Sequence, residues 1–138
     1  MESVIRSLKE ADLGEADRVS RLSFGTFLGL PDPMSFFGDA DFISTRFRAD
    51  PSLSLAAEVD GNFVGSNFIA NWGSVGVFGP LTVHPDFWDK GIAKLLLDKT
   101  MEMFKELKTK HIGIFTFSNS PKHVHLYQKY HFWPRFLT

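Results

Sequence analysis

Residues able to bind an anion lie at a predicted strand-to-helix junction between Leu81 and Lys94. A β-rich run ends at Val83, and after a short loop Gly91-Ile92-Ala93 opens an amphipathic helix. The first N–H groups of a helix have no internal partner and carry partial positive charge, so a pyrophosphate can bind there without a cationic side chain. Gly91 and Ala93 leave that backbone uncovered, although small residues also begin ordinary surface helices.

The histidines and serines do not form a recognisable metal site or nucleophile motif. His123 and His125 are two residues apart on a predicted helix and point to different sides, so we expect no metal site. Neither Ser118 nor Ser120 lies in a Gly-x-Ser-x-Gly turn. Because the chain has no Cys, thiolate ligands, disulfides and a cysteine nucleophile are excluded.

The charge balance argues against nucleic acid and membrane partners. Fifteen Lys and Arg against sixteen Asp and Glu give a net charge of −1 in 138 residues, so there is no global positive field. No signal-peptide stretch opens the chain, and no apolar run approaches the roughly 18 residues of a membrane helix. We therefore expect a cytoplasmic protein.

The first half of the chain predicts a strand, two helices and a hairpin. Ser3 to Leu8 reads as a strand, and Asp12 with Glu15 resembles a capping box that opens a helix through Phe24. Gly25 to Gly38 reads as an irregular loop before a short helix from Asp41 to Arg48. Two strand-like runs follow and are joined by an Asp-Gly turn, which favours a hairpin; they are Leu53 to Val59 and Phe63 to Ala70.

The second half predicts strand, helix, strand and helix. Gly73 permits a reversal into a strand from Val75 to Val83, and apolar spacing predicts a helix from Gly91 to Leu107. His111 to Phe117 is typical of a strand buried on both faces, and Lys122 to Tyr130 of a short helix. We expect a single α/β (α+β) domain over residues 1–138, with a mixed, mostly antiparallel sheet flanked by about four helices.

Two motifs in this order resemble the GNAT superfamily of N-acyltransferases. Its cofactor motif, Arg/Gln-x-x-Gly-x-Gly/Ala, reads here as Trp88 to Ala93, with Trp88 in place of the Arg or Gln. The resemblance implies acetyl-CoA as co-substrate, with Lys90 as a source of positive charge. The cofactor-binding residues that it implies are Leu81, Thr82, Val83, Asp89, Lys90, Gly91, Ile92, Ala93, Lys94 and Asn119.

The second motif runs Asn-x-x-Ala-x-x-Leu-Tyr-x-Lys-x-Gly-Phe and is matched by Leu126 to Phe132, with His131 in place of the Gly. Asn119 is one residue too far from the Tyr, which leaves Ser120 in register. The resemblance implies that Tyr127 lies near the cofactor sulfur and protonates the departing thiolate. The alternative is that Tyr127 only packs its helix onto the sheet.

The resemblance also implies that the strand before the helix is splayed from its neighbour. Gly76, Gly79 and Pro80 are compatible with such a break, which would leave Leu81 and Val83 to pair with the pantetheine arm. A plain irregular edge strand is the alternative.

The implied activity is direct transfer of an acetyl group from acetyl-CoA to an amine of a small molecule or peptide. No Asp or Glu lies between Val75 and Val83, so the general base stays unassigned, with Glu58 and His84 as weak candidates. Four phenylalanines are expected to line an acceptor pocket or to pack in the core; they are Phe24, Phe27, Phe36 and Phe37. A non-catalytic acyl-CoA-binding module and a structural partner domain are the alternative functions.

The end of the chain differs from the family pattern, which usually carries two more strands. Phe132, Trp133, Phe136 and Leu137 form an apolar run close to Thr138. We expect either a fragment of a longer chain that completes the sheet, or two copies that complete one another as a homodimer.

Overall fold

A mixed sheet with helices on both faces organises the described part of this computed structural model, which comprises residues 1–117 and 120–135. The strands are β1 (Ser3–Ser7), β2 (Ser54–Val59), β3 (Asn62–Trp72), β4 (Val75–Phe78), β5 (Thr82–Val83) and β6 (His111–Gly113). The helices are α1 (Leu13–Leu28), α2 (Phe42–Ala49), α3 (Ile92–Glu106) and α4 (Pro121–Gln128). The predicted fold class is confirmed.

The strands are ordered β1-β2-β3-β4-β6, and β5 pairs with β3 beside β4. β4 and β6 are parallel, whereas the other pairs run antiparallel. The hairpin between β2 and β3 turns at Asp60 and Gly61, whose φ angles of 50° and 83° are both left-handed. Asp and Gly are suited to that backbone, so the local turn chemistry predicts this element correctly.

The sheet separates two apolar clusters. On one face, Ala16 of α1 and Ile43 of α2 pack with Phe68 of β3. The second cluster includes Leu96 and Phe104 of α3 and Tyr127 of α4, together with further residues of the strands. Helices α1 and α2 therefore cover one face of the sheet, and α3 and α4 the other.

Three local predictions are corrected by tertiary contacts. Asp12 does not form a capping box with Glu15, because its carboxylate accepts hydrogen bonds from Arg6 and from the backbone N–H of Lys9. Helix α1 continues past Phe24 to Leu28 and ends at Gly29, whose φ of 72° is left-handed. Gly25 lies inside the helix against Pro33, where a Cβ would lie 2.3 Å from the Pro33 oxygen.

The third correction concerns His111 to Phe117, which was predicted as a strand buried on both faces. Only His111–Gly113 is strand, and Ile112 and Ile114 are partly buried. Phe115 is 80% exposed. Within the described residues β6 is an edge strand. The prediction of burial on both faces, which rested on its apolar composition, is therefore wrong.

The sheet is open beside β5. β4 pairs with β6 only over Val75–Val77, and the strand is then interrupted at Gly79-Pro80, where Gly79 has a φ of 128°. The chain resumes as β5, whose Thr82 and Val83 pair with Ser66 and Gly65 of β3. No strand among residues 1–117 and 120–135 pairs with the other edge of β5. The predicted break is present.

We expect Gly65→Ala to weaken the contact that holds β5. A Cβ at Gly65 would lie 2.6 Å from the backbone oxygen of Thr82, so one strand must move. The free energy of unfolding should fall by about 1–3 kcal/mol in urea titrations. The matched control is Gly14→Ala in α1, where a Cβ meets nothing within 4 Å, and its stability should be unchanged or slightly higher. Equal midpoints for the two variants would contradict the close packing of β5 on β3.

Candidate active site

A cavity of about 630 Å³ lies at the open part of the sheet. Its walls come from α1, β5, the start of α3 and one side of α4. This volume is within the range of small-molecule sites in proteins. Because residues from both faces of the sheet line it, the cavity passes through the opening beside β5.

The start of α3 forms one wall and has no side-chain cap. Gly91 is the N-cap residue with a left-handed φ of 81°, and the first turn of α3 holds no acidic residue. A Cβ at Gly91 would meet no atom within 4 Å, so this position opens into free space. Ile92 and Ala93 also line the cavity. The geometry suits an anion that accepts hydrogen bonds from backbone N–H groups.

A lysine from α4 neutralises the carboxylate that precedes this helix. Asp89 has a left-handed φ of 62°, and its Oδ1 is 2.7 Å from Nζ of Lys122. The same ammonium lies 5.5 Å from the centre of the Trp88 ring. Both charged groups are exposed, so the pair contributes at most about 1 kcal/mol to stability. The pair matters for the local charge, because an anion bound at the start of α3 would not be repelled by an unpaired Asp89 carboxylate.

Trp88, which replaces the Arg or Gln of the family pattern, binds the neighbouring strand. Its Nε1 donates a hydrogen bond of 2.7 Å to the backbone oxygen of Val83. That oxygen was one of the backbone groups expected to face the pantetheine arm. The indole therefore fixes the loop to β5 and occupies this acceptor.

Most of the predicted cofactor residues meet at one cavity. The residues that line it are Leu81, Val83, Asp89, Gly91, Ile92, Ala93 and Lys94. Thr82 is buried on the α1 face, where its hydroxyl is 3.1 Å from that of Ser20, and Lys90 places its ammonium 5.4 Å from the Phe87 ring centre. Neither of these two lines the cavity. Asn119 lies outside the described residues.

Tyr127 is both packed and adjacent to the cavity. It is 6% exposed, and its ring meets those of Phe78 and Phe132 edge-on, with centres 6.0 and 6.4 Å apart. Burial raises the pKa of Tyr127 to about 12. At neutral pH the phenol therefore keeps its proton and can donate it to a developing anion in the cavity.

His123 is a possible proton acceptor that the sequence analysis missed. It is partly buried against the cavity, and its Nδ1 is 2.5 Å from the hydroxyl of Ser120. Burial, reinforced by the positive charge of Lys122, lowers the pKa of His123, so the ring is neutral at pH 7. The available signal was Ser120, a favourable N-cap residue three positions earlier, which places His123 in the first turn of α4.

The two base candidates from the sequence lie elsewhere. Glu58 forms an ion pair with Arg6, with 2.5 Å between the carboxylate and Nε. The ring of His84 accepts a hydrogen bond from the backbone N–H of Asp86. Neither residue lines the cavity, so the structure does not support either as the base.

Two of the four predicted acceptor-site phenylalanines reach the cavity. Phe24 and Phe27 line it, whereas Phe36 and Phe37 pack outside it in the same aromatic group. Phe36 and Phe37 are partly buried and belong to neither core cluster, so they do not pack in the core. In the part of the chain that the structure describes, no group of three or more His, Asp or Glu side chains could hold a metal ion. None of the described helices is long and apolar enough to cross a membrane.

Comparisons with known proteins agree on one family. The family model described as the acetyltransferase (GNAT) family matches residues 20–132. An acetyltransferase of Pectobacterium atrosepticum is 42% identical over 57 residues, which make up 41% of this chain and 40% of that protein. The match therefore spans less than half of that relative.

Solved structures show the same fold over nearly the whole chain. A protein from Pyrococcus horikoshii has a TM-score of 0.82 at 20% identity, with 99% of this chain and 92% of that chain covered. The PaiA N-acetyltransferase of Thermoplasma acidophilum, solved in complex with coenzyme A, has a TM-score of 0.73 at 20% identity. That alignment covers 94% of this chain and 89% of the other.

The two tyrosines provide a test of the site's burial that does not depend on activity. An ordinary tyrosine ionises near pH 10. The pKa of Tyr127 is raised to about 12 by burial, and that of Tyr130 is raised by burial and by the Asp98 carboxylate, which its hydroxyl contacts at 2.6 Å. Since both folded-state values exceed the unfolded ones, this stabilisation is complete below about pH 10 and is lost as pH rises through the folded-state values.

We expect tyrosinate absorbance to stay low in the folded chain at about pH 10, where urea-unfolded chain is half ionised. The variant Tyr130→Phe leaves one tyrosine and isolates Tyr127, since the chain has two. A folded Tyr130→Phe protein that titrates near pH 10 would show that Tyr127 is accessible to water.

Proposed function

This chain belongs to the GNAT family of acetyltransferases, and from that premise we propose that it transfers an acetyl group directly from acetyl-CoA to an amine. The observation that carries the proposal is the continuous cavity through the open sheet. It brings to one space the uncapped start of α3, the edge of β5 that no described strand pairs with, and the buried phenol of Tyr127. The reaction needs backbone N–H donors for the phosphates of acetyl-CoA, a channel for its pantetheine arm and a proton donor for the leaving sulfur.

The start of α3 is the proposed site for the pyrophosphate. The backbone N–H groups of its first turn are the donors, and Gly91 leaves room for phosphate oxygens. Lys94 and Lys122 also line the cavity, where they neutralise Asp98 and Asp89, so no unpaired carboxylate opposes the phosphates there. Leu81 and Val83 line the channel that the pantetheine arm would follow. The acetyl-CoA bound in this way supplies the thioester.

Tyr127 and His123 account for the two protons of the reaction. The neutral amine forms a C–N bond to the thioester carbonyl carbon, and the C–S bond breaks. Tyr127 donates its proton to the leaving sulfur, a role that its raised pKa allows at neutral pH. The proton that the amine loses passes to His123, which is neutral and partly buried at the same cavity. Positioning by the cavity supplies the remaining rate enhancement.

The first test concerns acetyl-CoA binding. Gly91→Glu adds a carboxylate beside the proposed phosphate donors, so the affinity for acetyl-CoA measured by calorimetry should fall at least about tenfold. Gly73→Glu is the matched control. Gly73 has a similar left-handed φ of 75° and equally open surroundings, but it lies in the turn between β3 and β4.

The control variant should suffer similar backbone strain and bind acetyl-CoA like the original protein. Equal affinities for the Gly91→Glu and Gly73→Glu proteins would remove the start of α3 from the binding site. If the original protein does not bind acetyl-CoA at all, the proposed function itself fails, and a structural role on the same fold takes its place.

The second test concerns the chemical step. Tyr127→Phe removes the proton donor but keeps the ring that packs on Phe78, so kcat should fall by about 10²-fold or more with little change in acetyl-CoA affinity. Thiol release in the presence of a broad amine panel is the measurement. A native kcat in the variant would make Tyr127 a packing residue. Tight acetyl-CoA binding with no turnover on any amine would favour a non-catalytic sensing module.

A further inference from the structure

The two sides of the cavity differ in chemistry, and the difference bears on the acceptor. Helix α1 is anchored to β5 by the hydrogen bond between the hydroxyls of Ser20 and Thr82, on the face opposite α3. One turn farther along, Ser23 and Phe24 reach the cavity, and Phe27 reaches it after a second turn. The α1 side is therefore separate from the wall at the start of α3, where the phosphates are proposed to bind.

We propose that the acceptor is a small primary amine carried on an aromatic body, such as an arylalkylamine, and that it enters from the α1 side. The inference rests on the proposed acetyl transfer and adds the class of acceptor. Its support is a continuous aromatic wall on that side and the location of the charged lining residues elsewhere.

The aromatic wall of the cavity on this side is formed by Phe24 and Phe27 of α1 and His123 of α4. Phe117, which follows β6, does not line the cavity but supports the wall, with its ring centre 6.0 Å from Phe24 and 5.2 Å from Phe27. Phe27 also meets His123 of α4 at 5.2 Å, with the two rings perpendicular. All four residues are partly buried. Aromatic rings prefer tilted and edge-to-face contacts at such distances, so a ligand ring would extend an arrangement that already exists.

The ionic side chains that line the cavity come from α3 and the loop before it, and from α4 and its C-cap residue. Among the described lining residues these are Asp89, Lys94, Asp98, Lys122 and Lys129. The two carboxylates already have partners: Lys122 binds Asp89, and Lys94 and Tyr130 bind Asp98. The α1 side contributes no carboxylate from the described residues.

The consequence is discrimination between classes of amine. A polyamine or an amino sugar would bring additional ammonium groups to a wall of rings without a free carboxylate, and desolvation of an unpaired charge is costly. A single amine on an aromatic body buries its ring and presents one nitrogen to the thioester. His123, which is also part of the wall, is neutral at pH 7 and adds no charge.

The test compares aromatic amines with an alkylamine, a polyamine and an amino sugar, each with acetyl-CoA as donor, and uses thiol release to obtain kcat/KM. Phenethylamine and tryptamine should exceed butylamine, spermidine and kanamycin by at least about tenfold. Phe27→Ala should raise KM for phenethylamine about tenfold and leave acetyl-CoA affinity unchanged. If the alanine variant does not fold, Phe27→Leu replaces it in this test, because leucine keeps the apolar volume but removes the ring.

Phe42→Ala is the matched control. Phe42 belongs to the same aromatic group through Phe37, with ring centres 4.9 Å apart, but it is 50% exposed and does not line the cavity. Its removal should leave KM for phenethylamine unchanged. Equal effects of Phe27→Ala and Phe42→Ala would overturn the assignment of the aromatic wall to the acceptor.

The outcomes separate this inference from the proposed function. Turnover of spermidine or kanamycin above that of the aromatic amines would overturn the acceptor class and leave acetyl transfer intact. Thiol release with none of the amines would overturn both. A tripeptide beginning with phenylalanine that is acetylated with a higher kcat/KM than phenethylamine would overturn the choice of a small molecule and assign the wall to a peptide terminus.

Discussion

β5 pairs with β3 along one edge and with no described strand along the other, and the rest of the site depends on this constraint. Val83 and Thr82 continue the sheet from Gly65 and Ser66, while β6 stays with β4. The interruption at Gly79-Pro80 lies between the residues of β4 that pair with β6 and the residues of β5 that pair with β3. A closed sheet would divide the α1 side from the α3 side. The opening joins them in one cavity.

Polar contacts around this opening keep its walls in place without adding a net charge to its centre. Trp88 binds the backbone of Val83, Lys122 binds Asp89, and Tyr130 binds Asp98. Lys122 connects α4 with the loop before α3, and Tyr130, two residues after α4, connects the end of that segment with α3. The exposed Lys122–Asp89 ion pair contributes little free energy of unfolding. These contacts instead orient α4, and with it His123 and Tyr127, against the start of α3.

Burial determines which side chains can move a proton here. The same packing that places Tyr127 among Phe78 and Phe132 keeps its phenol protonated, and the same partial burial that places His123 against Phe27 keeps its imidazole neutral. Desolvation favours the uncharged form of each group. A proton donor and a proton acceptor therefore coexist at neutral pH in one cavity, although neither residue type is unusual in the sequence.

The sequence alone determined the order of elements, the Asp60-Gly61 hairpin and the helix that follows Gly91, because periodicity and turn residues are local properties. Tyr127 became a candidate through the resemblance of its motif to the GNAT family. The sequence misplaced Asp12 and the burial of β6, where Arg6 and the sheet edge override local preference, and it ended α1 at Phe24 although the helix continues to Leu28. It also included Thr82 and Lys90 among the cofactor residues, yet the alternation of β5 turns Thr82 toward Ser20 and Lys90 packs on Phe87. Only the tertiary structure brought His123 to Phe27 and separated Phe24 and Phe27 from Phe36 and Phe37. The rings that face a cavity are determined by how distant segments pack around an opening in the sheet. The spacing of residues along the chain does not specify that packing.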